Sequence, residues 1–326
     1  MYVLGIETTA HTFGVGIIDD KKNILANIKD CFTTKHGGMV PFEAQKHHVD
    51  VCDKVVKEAL EKANLTMKDI GLISFSQSPG MAHCLKIGAM MARSLAILNK
   101  IPLIGVNHCI AHLTIGEQLT DADDCILLYV SGANTQVIAY EGEKYRVFGE
   151  TLDIGIGNFL DTFARDMGLG FPGGPKVAAL AKEGKNYIEL PYTVKGMDVQ
   201  FSGLTTNLKD KLNKGVNKED LSFSVQETVF AMMVEVAERA IAHTGKNQLL
   251  LGGGVACNTR LQEMCKQMCD SRGVKFYVLE NQFNVDNGVM IAFQGLVEYK
   301  SGKETKIEES AIDSQLRTDD VLVTWK

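Results

Sequence analysis

Short apolar runs broken by polar turns fill the first part of the chain. Residues 2–6 (Tyr-Val-Leu-Gly-Ile) and 13–18 (Phe-Gly-Val-Gly-Ile-Ile) read as two strands, joined by the polar turn Glu7-Thr8-Thr9-Ala10-His11-Thr12. The Asp19–Asn23 cluster turns the chain into a third strand over 24–28. The apolar period then lengthens. Pro41 suits the first turn of a helix reaching about Asn64, with Ala44, His48, Val51, Val55 and Ala59 on one face. A strand over 70–75, a turn at Ser76–Gly80 and a helix ending near Asn99 follow. Gly88, Ala89 and Ala92 make one face of that helix small, which permits close packing. Residues 101–106 form a buried strand, and Asn107 opens a short helix.

Near Asp121–Asp124 the layout starts again. A strand over 126–130, the polar turn Ser131-Gly132-Ala133-Asn134-Thr135 and a return strand over 136–140 repeat the plan of residues 2–18. A strand over 248–251, the turn Gly252-Gly253-Gly254 and a helix over 256–270 repeat the plan of 70–98. The chain therefore reads as two versions of one α/β unit, residues 1–124 and 125–326, the second enlarged by an insertion at about 158–222.

The chemistry-bearing residues sit at the ends of these strands. His108 and His112 lie four apart at the start of a helix, so both imidazoles share one face at a strand end open to solvent. Such a pair suits a metal, although H-x-x-x-H lacks the glutamate of the zinc-protease motif. Asp286, near the start of a helix at 285–291, is either a simple N-cap or a third ligand. With it the set becomes two histidines and one carboxylate, suited to iron or zinc. The Ser131–Thr135 and Gly252–Gly254 turns can cradle phosphates through backbone N–H groups, or serve only as tight turns. Phe171-Pro172-Gly173-Gly174-Pro175 is a rigid turn able to wall a nucleotide site. The helix before it carries Asp161 and Arg165, whose i, i+4 spacing also fits a surface ion pair.

Composition narrows these readings. Hydrophobic residues make up 45% and charged residues 23%, as in a globular protein. No apolar run is long enough to span a membrane, and the N-terminus enters a strand without the features of a signal peptide. Eight cysteines occur without a C-x-x-C pair, which points to reduced thiols in the cytoplasm. A net charge of −6 means that partners must supply much of the phosphate-binding charge for any nucleic-acid substrate.

Several stretches together resemble one family. They are Gly5-Ile6-Glu7-Thr8-Thr9, Asn107-His108-x-x-Ala111-His112, Tyr129-Val130-Ser131-Gly132-Ala133-Asn134-Thr135-Gln136 and Gly149–Asn158. Phe171–Pro175, Phe201-Ser202-Gly203-Leu204, Gly252-Gly253-Gly254-Val255-Ala256-x-Asn258 and Asp286–Ala292 join them. The chain resembles the catalytic subunit of the archaeal and eukaryotic KEOPS complex, the tRNA N6-adenosine threonylcarbamoyltransferase family once misnamed O-sialoglycoprotein endopeptidase. The likeness runs from residue 2 to Trp325, is closest to the archaeal form and includes no fused kinase domain.

The resemblance implies an actin-like ATPase (ASKHA) fold of two ribonuclease-H-like subdomains around a cleft. It implies transfer of threonylcarbamoyl from its adenylate to the exocyclic amine of the adenosine 3′ of the anticodon, in tRNAs reading codons that start with A. It places a metal ion, iron before zinc, on His108, His112 and Asp286, with Tyr129 close or ligating. Adenylate contacts fall on Tyr129, Val130, Ser131, Gly132, Ala133, Asp161, Gly174 and Asn258, where ATP or ADP is also expected to fit. The expected partners are a small kinase or ATPase subunit, a dimerising subunit and an accessory tRNA-binding subunit. tRNA is expected to bind weakly to the chain alone. Glu7 and His11 are the candidates for a general base, or else they order their loop. Two positions depart from the family pattern. Ser78 replaces a glycine before Pro79, and Ala178 replaces an acidic residue that contacts ribose. A sugar or acetate kinase of the same fold would need no histidine pair. A metalloprotease would need the missing glutamate, and a non-catalytic assembly subunit would not keep His108, His112 and Asp286.

Overall fold

The computed structural model describes residues Met1–Lys326. The first half builds β1 (Tyr2–Glu7), β2 (Thr12–Asp19), β3 (Ile24–Cys31), α1 (Pro41–Ala63), β4 (Ile70–Ser78), α2 (Ala82–Asn99), β5 (Leu103–Asn107) and α3 (His108–Leu119). Its five strands run in the order β3-β2-β1-β4-β5. β1 pairs antiparallel with β2 and parallel with β4, because β1–β2 is a hairpin while β4 returns after a crossover helix.

The second half repeats this plan. It holds β6 (Ile126–Val130), β7 (Thr135–Glu141), β8 (Lys144–Glu150), α4 (Ile156–Asp166), α5 (Gly174–Ala181), β9 (Val194–Lys195), β10 (Asp198–Val199), α6 (Ser202–Asn213) and α7 (Lys218–Thr244). β11 (Gln248–Gly252), α8 (Thr259–Arg272), β12 (Lys275–Val278), α9 (Asn281–Asn284) and α10 (Gly288–Lys300) complete it. The strand order β12-β11-β6-β7-β8 is the first order again, with β6, β7, β8, β11 and β12 in the places of β1, β2, β3, β4 and β5. Two such sheets make the actin-like ATPase architecture. The β8-to-β11 connection spans residues 151–247, against 32–69 for β3 to β4. α4, α5, the β9–β10 hairpin and α6 are the added elements. No helix is long and apolar enough to cross a membrane.

The two last helices lie where the halves meet. α3 is wedged between the sheets: Cys109, Ile110 and Leu113 pack with Leu127, Tyr129, Ile138 and Leu250 of the second, while Ala111 and Ile115 pack with Leu72, Ile104 and Val106 of the first. α10 follows the second sheet, yet Val289, Met290, Ala292 and Phe293 pack with Val3, Ile18, Leu72 and Ile104 of the first. α10 thus returns to the first sheet, and the residues after it run over both halves. The close seat of α10 rests on missing side chains: a methyl on Gly5 or Gly16 would run into the α10 backbone.

Several elements differ from the sequence reading. β4 continues through Ser78, so Ser76-Gln77-Ser78 is strand rather than turn. Its polar residues are tolerated because the Ser76 hydroxyl accepts the Thr8 N–H at 3.0 Å. β3 extends to Cys31. β8 and β12 escape the apolar pattern because both are edge strands with charged or half-exposed positions. The glycine turn leads first into a 3-10 turn, Gly254–Cys257, and α8 begins only at Thr259.

Candidate metal and nucleotide site

With α3 wedged between the sheets and α10 crossed onto the first, both helix starts come to one point. Asn107 caps α3, its side-chain oxygen accepting the N–H groups of Cys109 at 3.0 Å and Ile110 at 3.2 Å. That cap fixes the first turn, and His108 and His112 rise from it with ring centroids 4.8 Å apart. Neither faces solvent as the sequence suggested: His108 is 4% and His112 2% exposed. Tyr129 of the second sheet and Asp286 close over them.

Asp286 is not the cap of α10. Asn287 takes that role, accepting the Met290 N–H at 3.0 Å. The Asp286 carboxylate is therefore free to point at α3, 3.5 Å from His108 Nε2 and 3.4 Å from His112 Nε2. One donor atom from each of the three side chains lies within 4.8 Å of the others. Tyr129, next to last in β6, has its hydroxyl 3.0 Å from His108 Nε2. Behind His108, Nδ1 lies 2.9 Å from Glu7 Oε2.

The electrostatics follow from this crowding. Burial alone would lower the His108 pKa, but the Glu7 and Asp286 carboxylates outweigh it and push it up to about 9. Burial lowers His112, with His108 adding to the effect and Asp286 opposing it. Burial would raise Asp286, but the two imidazoles hold it well below the usual carboxylate range. Burial raises the Tyr129 hydroxyl well above its ordinary value.

His112 Nε2 is buried without a hydrogen-bond partner. Asp286 stands close enough for an ion pair but outside bonding geometry. An imidazole nitrogen left so would cost about 1–3 kcal/mol. Two imidazole nitrogens, a carboxylate and a phenol aimed at one spot fit a divalent iron or zinc ion, and a cation there would satisfy that orphan.

Tyr129 also opens the second group. Val130 is buried, and the turn after it exposes Gly132 and Ala133. This turn is braced from below: Gly157 N donates to the Ser131 carbonyl at 3.0 Å and Asn158 N to the Gly132 carbonyl at 2.9 Å. Asp161 makes no ion pair with Arg165. Its Oδ1 instead accepts the Gly173 N–H at 2.6 Å and holds the Phe171–Pro175 turn. Nothing lies within 4 Å of the place a Gly174 side chain would take. Asn258 caps α8 and donates to Gln226 Oε1 at 2.6 Å. Gly253 adopts φ +97°, with a side chain there blocked by the Val130 carbonyl. His11 lies edge-on to Phe171, centroids 5.1 Å apart. Burial lowers its pKa, against the nearby Asp286 and Asp161 charges.

Three contributors were not singled out from sequence. Thr9 donates its N–H to Glu7 Oε1 at 2.6 Å and lies 3.3 Å from His108 Nδ1. Gln226 supports Asn258. Thr34 accepts the Phe171 N–H at 3.0 Å and so ties the two halves across the cleft. Only Thr9 carried a signal, as part of the polar turn after β1.

Residues 22–293 match the family described as tRNA N6-adenosine threonylcarbamoyltransferase. The chain is 53% identical to the tRNA N6-adenosine threonylcarbamoyltransferase of Thermococcus kodakarensis over the full length of both. It is 52% identical to a probable bifunctional tRNA threonylcarbamoyladenosine biosynthesis protein of Methanosarcina mazei, over 99% of this chain and 59% of that protein. Among solved structures, T. kodakarensis HypF matches with a TM-score of 0.68 at 16% identity, over 92% of this chain and 48% of that one. That likeness carries the fold alone. Identity of 53% along the whole length carries more, and the chain belongs to the tRNA N6-adenosine threonylcarbamoyltransferase family.

Proposed function

We propose that the chain moves a threonylcarbamoyl group from threonylcarbamoyl-AMP to the exocyclic amine of the adenosine 3′ of the anticodon. The tRNAs are those reading codons that start with A, and the chain works as the catalytic subunit of a cytoplasmic KEOPS complex. The observation that carries this reading is the meeting of His108, His112, Asp286 and the Tyr129 hydroxyl at the joint of the two halves, beside the open Ser131–Ala133 turn.

In this reading His108, His112, Asp286 and Tyr129 hold one metal ion, iron before zinc. Bound there, the ion would supply Lewis-acid polarisation of the transferred carbonyl. The rest falls to the chain's own groups. The exposed Gly132 and Ala133 amides face the adenylate phosphate and the oxyanion that develops during acyl transfer. Asp161, through the Gly173–Gly174 turn, and Asn258, at the start of α8, shape the nucleotide side, which ATP or ADP can also occupy. The buried wall around Tyr129 keeps water from the mixed anhydride. An exocyclic amine is a weak nucleophile, so holding it at attack distance supplies much of the rate. His11, at the cleft edge against Phe171, is the remaining group placed to take a proton from it.

The small kinase or ATPase subunit, the dimerising subunit and the tRNA-binding subunit complete the assembly. With a net charge of −6, the isolated chain binds tRNA weakly and loses it with added salt. The test is reconstitution with those partners, the adenylate-forming synthase, threonine, bicarbonate, ATP and unmodified tRNA. Threonylcarbamoyladenosine is then read by mass spectrometry. We expect product from the wild type and none from His112→Ala. Product from both would remove the metal role and leave the transfer. Product from neither, with every partner active beside a homologous subunit, would remove the transfer.

A further inference from the structure

Glu7 has no exposed surface, yet it is a carboxylate at the end of a strand in the middle of the molecule. Such a group is retained only if both oxygens are satisfied. Oε1 accepts the Thr9 N–H at 2.6 Å and the Thr9 hydroxyl. Oε2 lies 2.9 Å from His108 Nδ1. β1 delivers the residue to this place. Its register with β2 sets Glu7 opposite Gly14, and the next residue is pinned by the Thr8 N–H to the Ser76 hydroxyl. Neither oxygen is left to meet a substrate.

We propose that Glu7 is a positioning residue for the metal centre, acting through His108. A carboxylate accepting from Nδ1 places the proton on that nitrogen. In the neutral imidazole that a cation takes up, the lone pair is then on Nε2, which points at Asp286 and Tyr129. It also fixes the ring plane and makes Nε2 a stronger donor. Thr9 holds the far oxygen, so the chain of contacts runs from the backbone of the β1–β2 turn through Glu7 to the imidazole. This rests on the metal reading above, and it removes Glu7 from the set of general bases.

The experiment titrates cobalt(II) alone into the metal-free full chain and follows the ligand-field spectrum and the dissociation constant. Wild type, Glu7→Ala, Glu7→Gln, Thr9→Val and His112→Ala are compared. We expect His112→Ala to abolish the site. Glu7→Ala should weaken cobalt binding roughly 10- to 100-fold and shift the spectrum. Glu7→Gln keeps an acceptor for Nδ1 and loses the charge, so it should weaken binding by about tenfold. Thr9→Val should fall between Gln and wild type. Melting curves in chelator separate this from misfolding, and Glu7→Gln decides if the alanine variant does not fold. Wild-type affinity and spectrum in both Glu7 variants, with His112→Ala empty, would overturn the role of Glu7 and leave the metal site standing. If those variants also lost transfer, Glu7 would act as a base instead. A wild type that takes up no cobalt would overturn the metal reading and this inference together.

Discussion

His48 is fully buried on α1, its ring edge-on to Phe13 at 5.6 Å, and neither nitrogen makes a hydrogen bond. The Ala10 backbone favours the charged ring without outweighing burial. Burial therefore pushes its pKa down to about 4, helped by the neighbouring His47. Above its ordinary value near 6.5 both folded and unfolded chains hold it neutral. Between pH 6.5 and 4 the unfolded chain takes up a proton that the folded chain refuses. Stability is thus full above pH 6.5, falls through that window by about 3 kcal/mol and levels below it. Urea midpoints measured from pH 7 to 4 should show this slope, and His48→Phe should flatten it. An unchanged slope would mean other groups set the acid limit. The structure buries the helical face at 44, 48, 51, 55 and 59, all but the half-buried Val51. That face was legible because period alone defines it. The partner of Asp161 was not: spacing pointed to Arg165, whereas a backbone N–H twelve residues away takes the carboxylate.

The elements that matter most are α3 and α10. α10 crosses to the first sheet and α3 is wedged between both, so the site exists only where they meet. Gly16 and Gly288 set the distance. A side chain on either would strike the backbone of the other's element, and backbone cannot rotate away. Gly16→Ala should destabilise the fold by about 3 kcal/mol. It should also weaken cobalt binding, because lifting α10 carries Asp286 away from His108 and His112. A variant with lower stability but wild-type cobalt affinity would show that Asp286 is held by its own loop rather than by α10. Local sequence marked the start of α3 clearly, since Asn107 is a strong cap before an apolar run. It left Asp286 open between a cap and a ligand, and only the fold decides: Asn287 takes the cap and Asp286 turns inward.

At the scale of the whole molecule, the residues after α10 act as a strap. Gln77 on β4 donates to the Glu309 and Ala311 carbonyls at 3.1 and 2.7 Å, and the Arg93 guanidinium on α2 reaches Ser310. Farther on, Arg317 pairs with Glu150 of β8 at 3.1 Å. Val321, Val323 and Trp325 then pack on the apolar cluster around Tyr145 and Leu127. The strap therefore ties the first half to the second. Trp325 is the only tryptophan, and its ring lies 6.5 Å from that of Tyr145. Its fluorescence reports the strap alone. In rising urea the emission should shift to the red before the far-ultraviolet circular dichroism falls. A chain ending at Glu304 should remain folded and melt several degrees lower. Coincident transitions would make the strap part of one cooperative unit.

The repeated α/β plan and the enlarged second half were legible along the chain alone. The sequence also marked the strand ends that carry polar turns, because hydrophobic period and turn chemistry are local properties. Its motifs placed the chain in its family, which the full-length identity bears out. What it left open was decided by contacts between distant residues: the crossing of α10 to the first sheet, the burial of His108 and His112 between the sheets, the turn of Asp286 toward them rather than into a cap, and the carboxylate of Glu7 behind His108. Side chains 101 and 178 positions apart along the chain, Glu7 with His108 and His108 with Asp286, meet only because α10 crosses to the first sheet beside a wedged α3, and no local pattern encodes that crossing.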